Sequence, residues 1–119
     1  MEFTHLHVHT EYSLLDGSNK IKEYVARIKE LGMDSAAITD HGVMYGVIDF
    51  YRAARAEGIN PILGCEVYVA PGSRFDREAG ARRSRYYHLV LLAENNQGYA
   101  NLMKIVSKGL QRAFIISRE

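Results

Sequence analysis

The chain has 119 residues, with 15 Lys and Arg against 14 Asp and Glu, and therefore a formal net charge of +1. With 47% hydrophobic and 24% charged residues it has the composition of a globular domain, which excludes wholesale disorder, collagen-like repeats and low-complexity structure. The near-zero charge provides no overall attraction to nucleic acid or to an anionic membrane, so such binding requires a local patch.

Three features of the sequence favour a cytoplasmic location without a membrane partner. The single cysteine excludes an internal disulfide and is typical of a reducing compartment. The first residues, MEFTHLHVHTEY, lack the basic and then apolar order of a signal peptide. No apolar run approaches the roughly 20 residues that span a bilayer.

Strand-like and helix-like segments alternate in the first half of the chain. Residues 3–9 alternate apolar side chains with histidines, which predicts a strand. A helix is predicted over residues 19–31, with Ser18 as its N-cap and Gly32 as its C′ residue. The short apolar run over residues 35–39 is typical of a strand that is covered on both faces.

The same alternation continues in the second half. It predicts a helix over residues 44–57, a strand over 61–69, a long loop over 70–85, a strand over 86–93 and a helix from Asn95 or Asn96 to near Gly109. This order predicts an α/β fold in which a parallel sheet is flanked by helices. Four strands are too few to close a (β/α) barrel, and residues 110–119 show no clear continuation of the pattern.

The histidines are the most informative residues of the sequence. All five lie in or at the ends of predicted strands: His5, His7, His9, His41 and His88. Residues two apart on a strand share a face, so His7 and His9 are expected to point the same way. His41 directly follows the second predicted strand, at the edge where α/β folds place their sites. Glu66 lies in the third strand and Asp16 in the loop after the first.

Two interpretations of these residues compete. Alternating histidines can line a solvated face, and one histidine in an apolar strand is more often a hydrogen-bonded core residue than a ligand. However, five histidines and two carboxylates recur in four separate strand regions, and unpaired buried polar groups are costly. We therefore favour a metal site, since imidazoles and carboxylates suit zinc, manganese or iron.

Two further features have weaker implications. The loop over residues 70–85 is rich in arginine, and Arg74, Arg82 and Arg83 are candidates for contacts with DNA phosphates, which would make binding salt-dependent. Acidic residues interrupt this run, so a solvated surface loop is the favoured interpretation. Cys65 adjoins Glu66 and is expected to face the opposite side of its strand, as a packing residue.

Four stretches of sequence together carry a family resemblance: HLHVHTEYSLLDG, ITDHGVMYGVIDFY, GCEVYV and YYHLVLLAENNQGYANLMKIVS. They resemble the amino-terminal PHP (polymerase and histidinol phosphatase) domain of bacterial replicative DNA polymerase III alpha subunits. The resemblance makes residues 1–109 the first part of such a domain and leaves 110–119 as a divergent tail. It implies a partial (β/α) barrel, about four of the family's seven strands, and up to three zinc, manganese or iron ions in a complete domain.

The resemblance also implies a role for each site residue. His7 and His9 would bind one ion, Glu66 would bridge it to a second ion that His88 binds, and Asp16 and His41 would bind a third. Two residues would support the site without binding an ion. Asp40 would orient a histidine or the strand end, and His5, deeper in the first strand, would have a structural or supporting role.

Three functions fit this resemblance. The first is a segment of a replicative polymerase whose metal site hydrolyses phosphoesters as a 3′–5′ exonuclease, with DNA 3′ ends and the rest of the polymerase as partners. The polymerase active site of the family lies far downstream of these residues. The second is a phosphoesterase of the histidinol-phosphatase type, and the third is a non-catalytic, metal-stabilised scaffold. The stretches YSLLDG, GCEVYV and AENNQGYANLMK favour the first.

The family completes its site with three later ligands, a His or Cys and then an Asp-x-His, which these residues do not include. The sequence therefore resembles an amino-terminal fragment. A sheet with an unpaired edge and an uncovered apolar face favours association. We expect the isolated chain to be poorly stable or oligomeric, with weak activity or none.

Overall fold

A computed structural model describes residues 3–13, 17–70, 72, 86–111 and 115–116 of the chain. After a short 3-10 turn (Glu11–Ser13), its elements are α1 (Ile21–Glu30), β1 (Ser35–Ile38), α2 (Val47–Ala56), β2 (Asn60–Val69), β3 (Tyr87–Leu92), α3 (Asn96–Gln111) and β4 (Ile115–Ile116). None of the helices in these described ranges combines the length and apolarity needed to cross a membrane.

Helices α1 and α2 end in the same way. Gly32 and Gly58 both have a φ of 72°, in the left-handed region that glycine adopts without strain. After α1, the N–H of Gly32 donates to the carbonyl of Lys29, and the N–H of Met33 donates to the carbonyl of Ile28. These two bonds define a Schellman motif, and the equivalent pair follows α2. The predicted C′ role of Gly32 is confirmed.

The N-termini of the helices agree less well with the N-caps predicted from the sequence. Lys20, not Ser18, is the N-cap of α1, and it makes no capping hydrogen bond through its side chain. The prediction of Ser18 was wrong because the chain is still extended at Lys20, with a φ of −73° and a ψ of 134°, and the carbonyl of Asn19 accepts a hydrogen bond from the N–H of Glu11 at 3.0 Å. Asn95 does cap α3, because its Oδ1 accepts a bond from the backbone N–H three residues later at 2.9 Å.

The sheet is mixed. Its order is β1-β2-β3; β1 pairs with β2 in parallel, β3 pairs with β2 in antiparallel orientation, and the short β4 pairs in parallel with the end of β2. The α/β class with flanking helices is confirmed, whereas the prediction that all strands are parallel was wrong. Parallel strands need a long crossover, usually a helix, and the sequence between β2 and β3 has no helical period, so antiparallel pairing was the better inference.

Residues 3–10 run beside β1 but do not form the regular strand that was predicted. The N–H of Ala37 donates to the carbonyl of His5 at 3.2 Å, and that of Thr39 to the carbonyl of Val8 at 2.8 Å. A step of two residues, from Ala37 to Thr39, therefore faces a step of three residues in the first segment. The N–H of Val8 bonds to the hydroxyl of Thr39 at 2.8 Å instead of to a backbone carbonyl. This mismatch interrupts the ladder of backbone bonds.

The core has two parts. The larger lies between β1 and the helices α1 and α2, with Val25, Ile38 and Phe50 at most 1% exposed. The smaller joins β2 to α3 through Cys65, Val67, Leu102 and Val106. Cys65 is fully buried, which agrees with its predicted packing role, and burial raises the pKa of its thiol to about 12. The other side of β2 is therefore free to carry the polar residues of a site.

Candidate metal centre

Strand β2 provides the centre of the candidate site. Successive side chains of a strand point to opposite faces, so Glu66 and Tyr68 project away from the face that Cys65 packs against α3. The antiparallel register pairs Tyr68 directly with His88 of β3. Glu66, Tyr68 and His88 consequently share one face of the sheet.

Two imidazoles reach Glu66 from the first segment. Nε2 of His7 lies 2.8 Å from Oε2 of Glu66, and Nε2 of His9 lies 2.5 Å from the same oxygen. The expectation that His7 and His9 point the same way is confirmed, even though the segment is not a regular strand. Both imidazoles thus reach one oxygen despite the irregular backbone pairing.

Two more imidazoles approach from the sheet itself. The backbone of His41 bridges to that of Glu66 at the end of β1, and Nδ1 of His41 lies 3.5 Å from Oε2 of Glu66. On the opposite side, Nδ1 of His88 lies 3.0 Å from Oε1 of Glu66. Nitrogen atoms of four imidazoles thus surround one carboxylate whose side chain is only 5% exposed.

This environment determines the ionisation of Glu66. Burial raises the pKa of the carboxyl group, but the hydrogen bonds of His7 and His9, the charge of His41 and the hydrogen bond of His88 together outweigh burial and lower it to about 2. The carboxylate is therefore ionised at neutral pH and provides a negative charge at the middle of the cluster.

The cluster contains two overlapping groups with the geometry to hold a metal ion. One is His7, His9 and Glu66, and the other is His41, Glu66 and His88; within each, one ligand atom per residue lies within 4.8 Å of the others. Glu66 belongs to both groups. Imidazole nitrogens with a carboxylate are a donor set that fits zinc, manganese or iron, so these residues fit the metal that the sequence suggests.

Asp40 fixes the backbone around this cluster. Its carboxylate, 1% exposed, accepts hydrogen bonds from the N–H of Thr10 at 2.6 Å, the hydroxyl of Thr10 at 2.8 Å and the hydroxyl of Ser13 at 3.0 Å. The oxygen of Ser13 in turn accepts the N–H of His41 at 3.1 Å. Asp40 therefore anchors the chain immediately after His9 and beside His41, through the backbone and hydroxyl groups.

Of the remaining predicted site residues, the structure describes only His5. His5 is exposed, its ring meets that of Phe3 edge-on at 4.8 Å, and it belongs to neither ligand group found in the described residues. Asp16, Arg74, Arg82 and Arg83 lie outside the described residues, so their roles stay predictions. The grouping of His41 with Asp16 is likewise untested, while the structure brings His41 close to Glu66 and His88.

Sequence reasoning missed one residue of this site. The ring of Tyr68 stacks on that of His41, with 5.8 Å between centroids and 8° between planes, and meets the ring of His88 edge-on at 4.8 Å. The signal that could have found Tyr68 is its position two residues after Glu66, which places both side chains on one face of the strand.

Fold and site together define an α/β domain with a histidine–carboxylate centre at one face of its sheet. The family model of the PHP domain matches residues 5–118, and the chain belongs to this family.

The matching relatives are much longer proteins. The chain is 53% identical over 108 residues to the DNA polymerase III subunit alpha of Treponema pallidum, covering 91% of the chain and 9% of that protein. It is 51% identical over 112 residues to the subunit of the same name from Helicobacter pylori strain J99, covering 94% of the chain and 9% of that protein. The chain thus spans less than a tenth of the length of these curated relatives.

Two solved structures have similar folds. An amidohydrolase from Chromobacterium violaceum, solved with bound sulfate and no metal, has a TM-score of 0.58 and 26% identity, covering 92% of this chain and 35% of its own. A proposed metal-dependent phosphoesterase from Bifidobacterium adolescentis also has a TM-score of 0.58 and the same coverage, with 20% identity. This chain therefore corresponds to about a third of each of these folds.

Proposed function

We propose that the chain is a segment of the PHP domain of a bacterial replicative DNA polymerase III alpha subunit, and that its cluster binds divalent ions and hydrolyses phosphoesters at DNA 3′ ends. The observation that carries this proposal is the position of Glu66, a buried carboxylate with nitrogen atoms of four imidazoles around it. The similarity to polymerase alpha subunits supports the biological context.

Three residues would hold each of two ions. His7, His9 and Glu66 would hold one ion, and His41, Glu66 and His88 a second, with Glu66 common to both. Divalent ions held in this way lower the pKa of bound water toward neutrality and neutralise phosphate charge. Because Glu66 is ionised at neutral pH, it offsets part of the positive charge that two ions would bring.

The nucleophile of the proposed reaction is water. Cys65, the single cysteine of the chain, is fully buried between β2 and α3, and its pKa of about 12 keeps it a neutral thiol. A neutral thiol that faces away from Glu66 cannot attack a phosphoester bound at the cluster. The role of the chain is then to supply ligands and to orient them.

Several finer assignments belong to the same proposal. The resemblance groups Asp16 with His41 at a third ion, as the alternative to His41 at the second ion, and His5 and Asp40 would support the ligands. Arg74, Arg82 and Arg83 would be the first residues to examine for contacts with DNA phosphates. The rest of the polymerase would be the physical partner, the cytoplasm the compartment, and zinc or manganese the first ions to test.

The function can be tested under single-turnover conditions, with the protein in excess so that slow cleavage is detectable. The chain, loaded with Zn²⁺ or Mn²⁺, is incubated with a 3′-labelled DNA strand and, separately, with histidinol phosphate. We expect release of labelled nucleotides that falls by roughly 100-fold or more in Glu66→Gln, because this variant removes a ligand common to both groups. Glu57→Gln, which alters an exposed ion pair with Lys29, is the matched control and should cleave normally.

Each other outcome contradicts part of the proposal. Phosphate release from histidinol phosphate alone would favour a small-molecule phosphoesterase. Metal binding without either activity would overturn catalysis and favour a metal-stabilised scaffold. Nucleotide release that persists unchanged in Glu66→Gln would assign the activity to a contaminant or to another site.

A further inference from the structure

Tyr68 is the aromatic residue that lines one side of the cluster. It is half-buried on β2, two residues beyond Glu66 and directly opposite His88 in the sheet register. Its ring lies parallel to that of His41 and edge-on to that of His88. Its hydroxyl oxygen lies 3.4 Å from Nδ1 of His41. One side chain therefore contacts two imidazoles of the candidate centre.

Both of these imidazoles belong to the same ligand group. His41 and His88 share a group with Glu66, whereas the other group takes its imidazoles from the first segment of the chain. The rings of His41 and His88 also meet each other edge-on, with centroids 5.5 Å apart. If an imidazole rotates about its side-chain bonds, its ligand nitrogen no longer points at the ion. Aromatic side chains packed against the imidazole oppose this rotation.

We propose that Tyr68 is a positioning residue for the second of the two ion sites, holding His41 and His88 in the orientation in which they and Glu66 bind a divalent ion. The ring restrains both imidazoles through these contacts. The ring contacts of Tyr68 described above are with His41 and His88. We therefore expect the site formed by His7, His9 and Glu66, which adjoins His41 through the ring of His9, to depend much less on Tyr68. This inference rests on the proposed metal binding, and it adds that the affinity of one of the two ion sites depends on Tyr68.

The test is a calorimetric titration of the chain with Zn²⁺ alone, with the metal content of the dialysed protein as a second readout. The variants are Tyr68→Leu, which removes the ring, and Tyr68→Phe, which removes only the hydroxyl. The matched control is Tyr87→Leu, an equal change at a neighbour of His88 that is 61% exposed and points to the opposite face of β3. Circular dichroism of each metal-free variant checks that it folds.

We expect two ions per wild-type chain and the same for Tyr87→Leu. Tyr68→Leu should retain one binding event at wild-type affinity and weaken the other by roughly 10- to 100-fold, the range found for residues that orient metal ligands. Tyr68→Phe should bind both ions with about wild-type affinity, because it keeps the ring. Imidazole signals in NMR spectra should identify the weakened event, because the Zn²⁺-induced shifts of His41 and His88 should change more than those of His7 and His9.

The two proposals fail in different ways. A wild-type chain that is folded and binds no Zn²⁺ overturns the proposed function. A wild-type chain that binds two ions, with Tyr68→Leu either unchanged or weakened equally at both sites, overturns the role of Tyr68 alone. If Tyr68→Leu does not fold, Tyr68→Met, which also removes the ring, takes its place, and binding of both ions with wild-type affinity by this variant contradicts the proposal.

Discussion

His9 and Glu66 are 57 residues apart in the chain, yet Nε2 of His9 lies 2.5 Å from Oε2 of Glu66. This contact joins the first, irregular segment to the central strand β2. The residue after His9, Thr10, is held in place by two hydrogen bonds that it donates to Asp40. The position of His9 at the cluster therefore depends on a buried carboxylate that binds backbone and hydroxyl groups.

Replacing Asp40 by alanine should destabilise the fold and displace His9. The change leaves the buried N–H and hydroxyl of Thr10 and the hydroxyl of Ser13 without their acceptor, which should lower the free energy of unfolding by about 3 kcal/mol. Urea denaturation of metal-free protein measures this loss. The exposed Asp34→Ala should change stability by less than about 0.5 kcal/mol, and an equal loss in both variants would contradict the anchoring role.

Gly64 should not tolerate a side chain. A Cβ at this position of β2 would lie 2.4 Å from the carbonyl oxygen of Leu91 on β3 and 3.1 Å from Cγ2 of Thr39. The backbone of the strand pair would have to move, so Gly64→Ala should cost about 1–3 kcal/mol. Gly98→Ala in α3, where the nearest atom is 3.6 Å away, should instead stabilise by up to about 1 kcal/mol. Thermal denaturation of the two variants should therefore show midpoint shifts of opposite sign.

Cys65 should be inert in the folded chain. Burial raises the pKa of its thiol to about 12, and Sγ lies 3.3 Å from the carbonyl oxygen of Asp40. Because the thiolate is the reactive form, a thiol reagent such as iodoacetamide at pH 8 should label the protein only after denaturation. Mass spectrometry of the native and unfolded samples measures the difference. Rapid labelling of the native protein would show that the packing of β2 on α3 is not as described.

The stability of the fold should fall between pH 10 and pH 12 in part because of Tyr24. Burial raises the pKa of its phenol from 10.0 to about 12, and the neutral hydroxyl donates to the carbonyl of Ala37 at 3.0 Å. Below pH 10 the phenol is neutral in both states and its contribution is fully present. Above pH 10 the unfolded state ionises first, so stability is lost as pH rises towards the folded pKa. Tyr24→Phe should have a shallower decline in unfolding free energy over this window, and an identical decline would contradict the assignment.

The parts of the fold that depend on local sequence could be predicted. Gly32 and Gly58 end their helices because glycine adopts a positive φ without strain, and Asn95 caps α3 through a side chain suited to that position. The convergence of His7 and His9 also follows from local alternation. The expectation that Glu66 would join them came from the family resemblance, and the structure places Glu66 there.

The features of the fold that depend on pairing between distant segments could not be predicted from local sequence. The offset between residues 3–10 and β1 arises because the hydroxyl of Thr39 takes the N–H of Val8 that a regular ladder would pair with a carbonyl. The antiparallel direction of β3 depends on a connection without helical periodicity. Tyr68 was missed because a tyrosine in an apolar strand has no chemical signature until the register brings it opposite His88.

A zinc titration measures directly whether Glu66 and the four imidazoles bind divalent ions together. Metal-free chain is titrated with Zn²⁺ at pH 7.5, and wild type is compared with Glu66→Gln and with the surface control Glu57→Gln. We predict two bound ions for the wild type and for Glu57→Gln, and a loss of affinity at both sites of roughly 100-fold or more in Glu66→Gln. Zn²⁺ binding by Glu66→Gln with wild-type affinity and stoichiometry would show that Glu66 is not a ligand common to both ion sites.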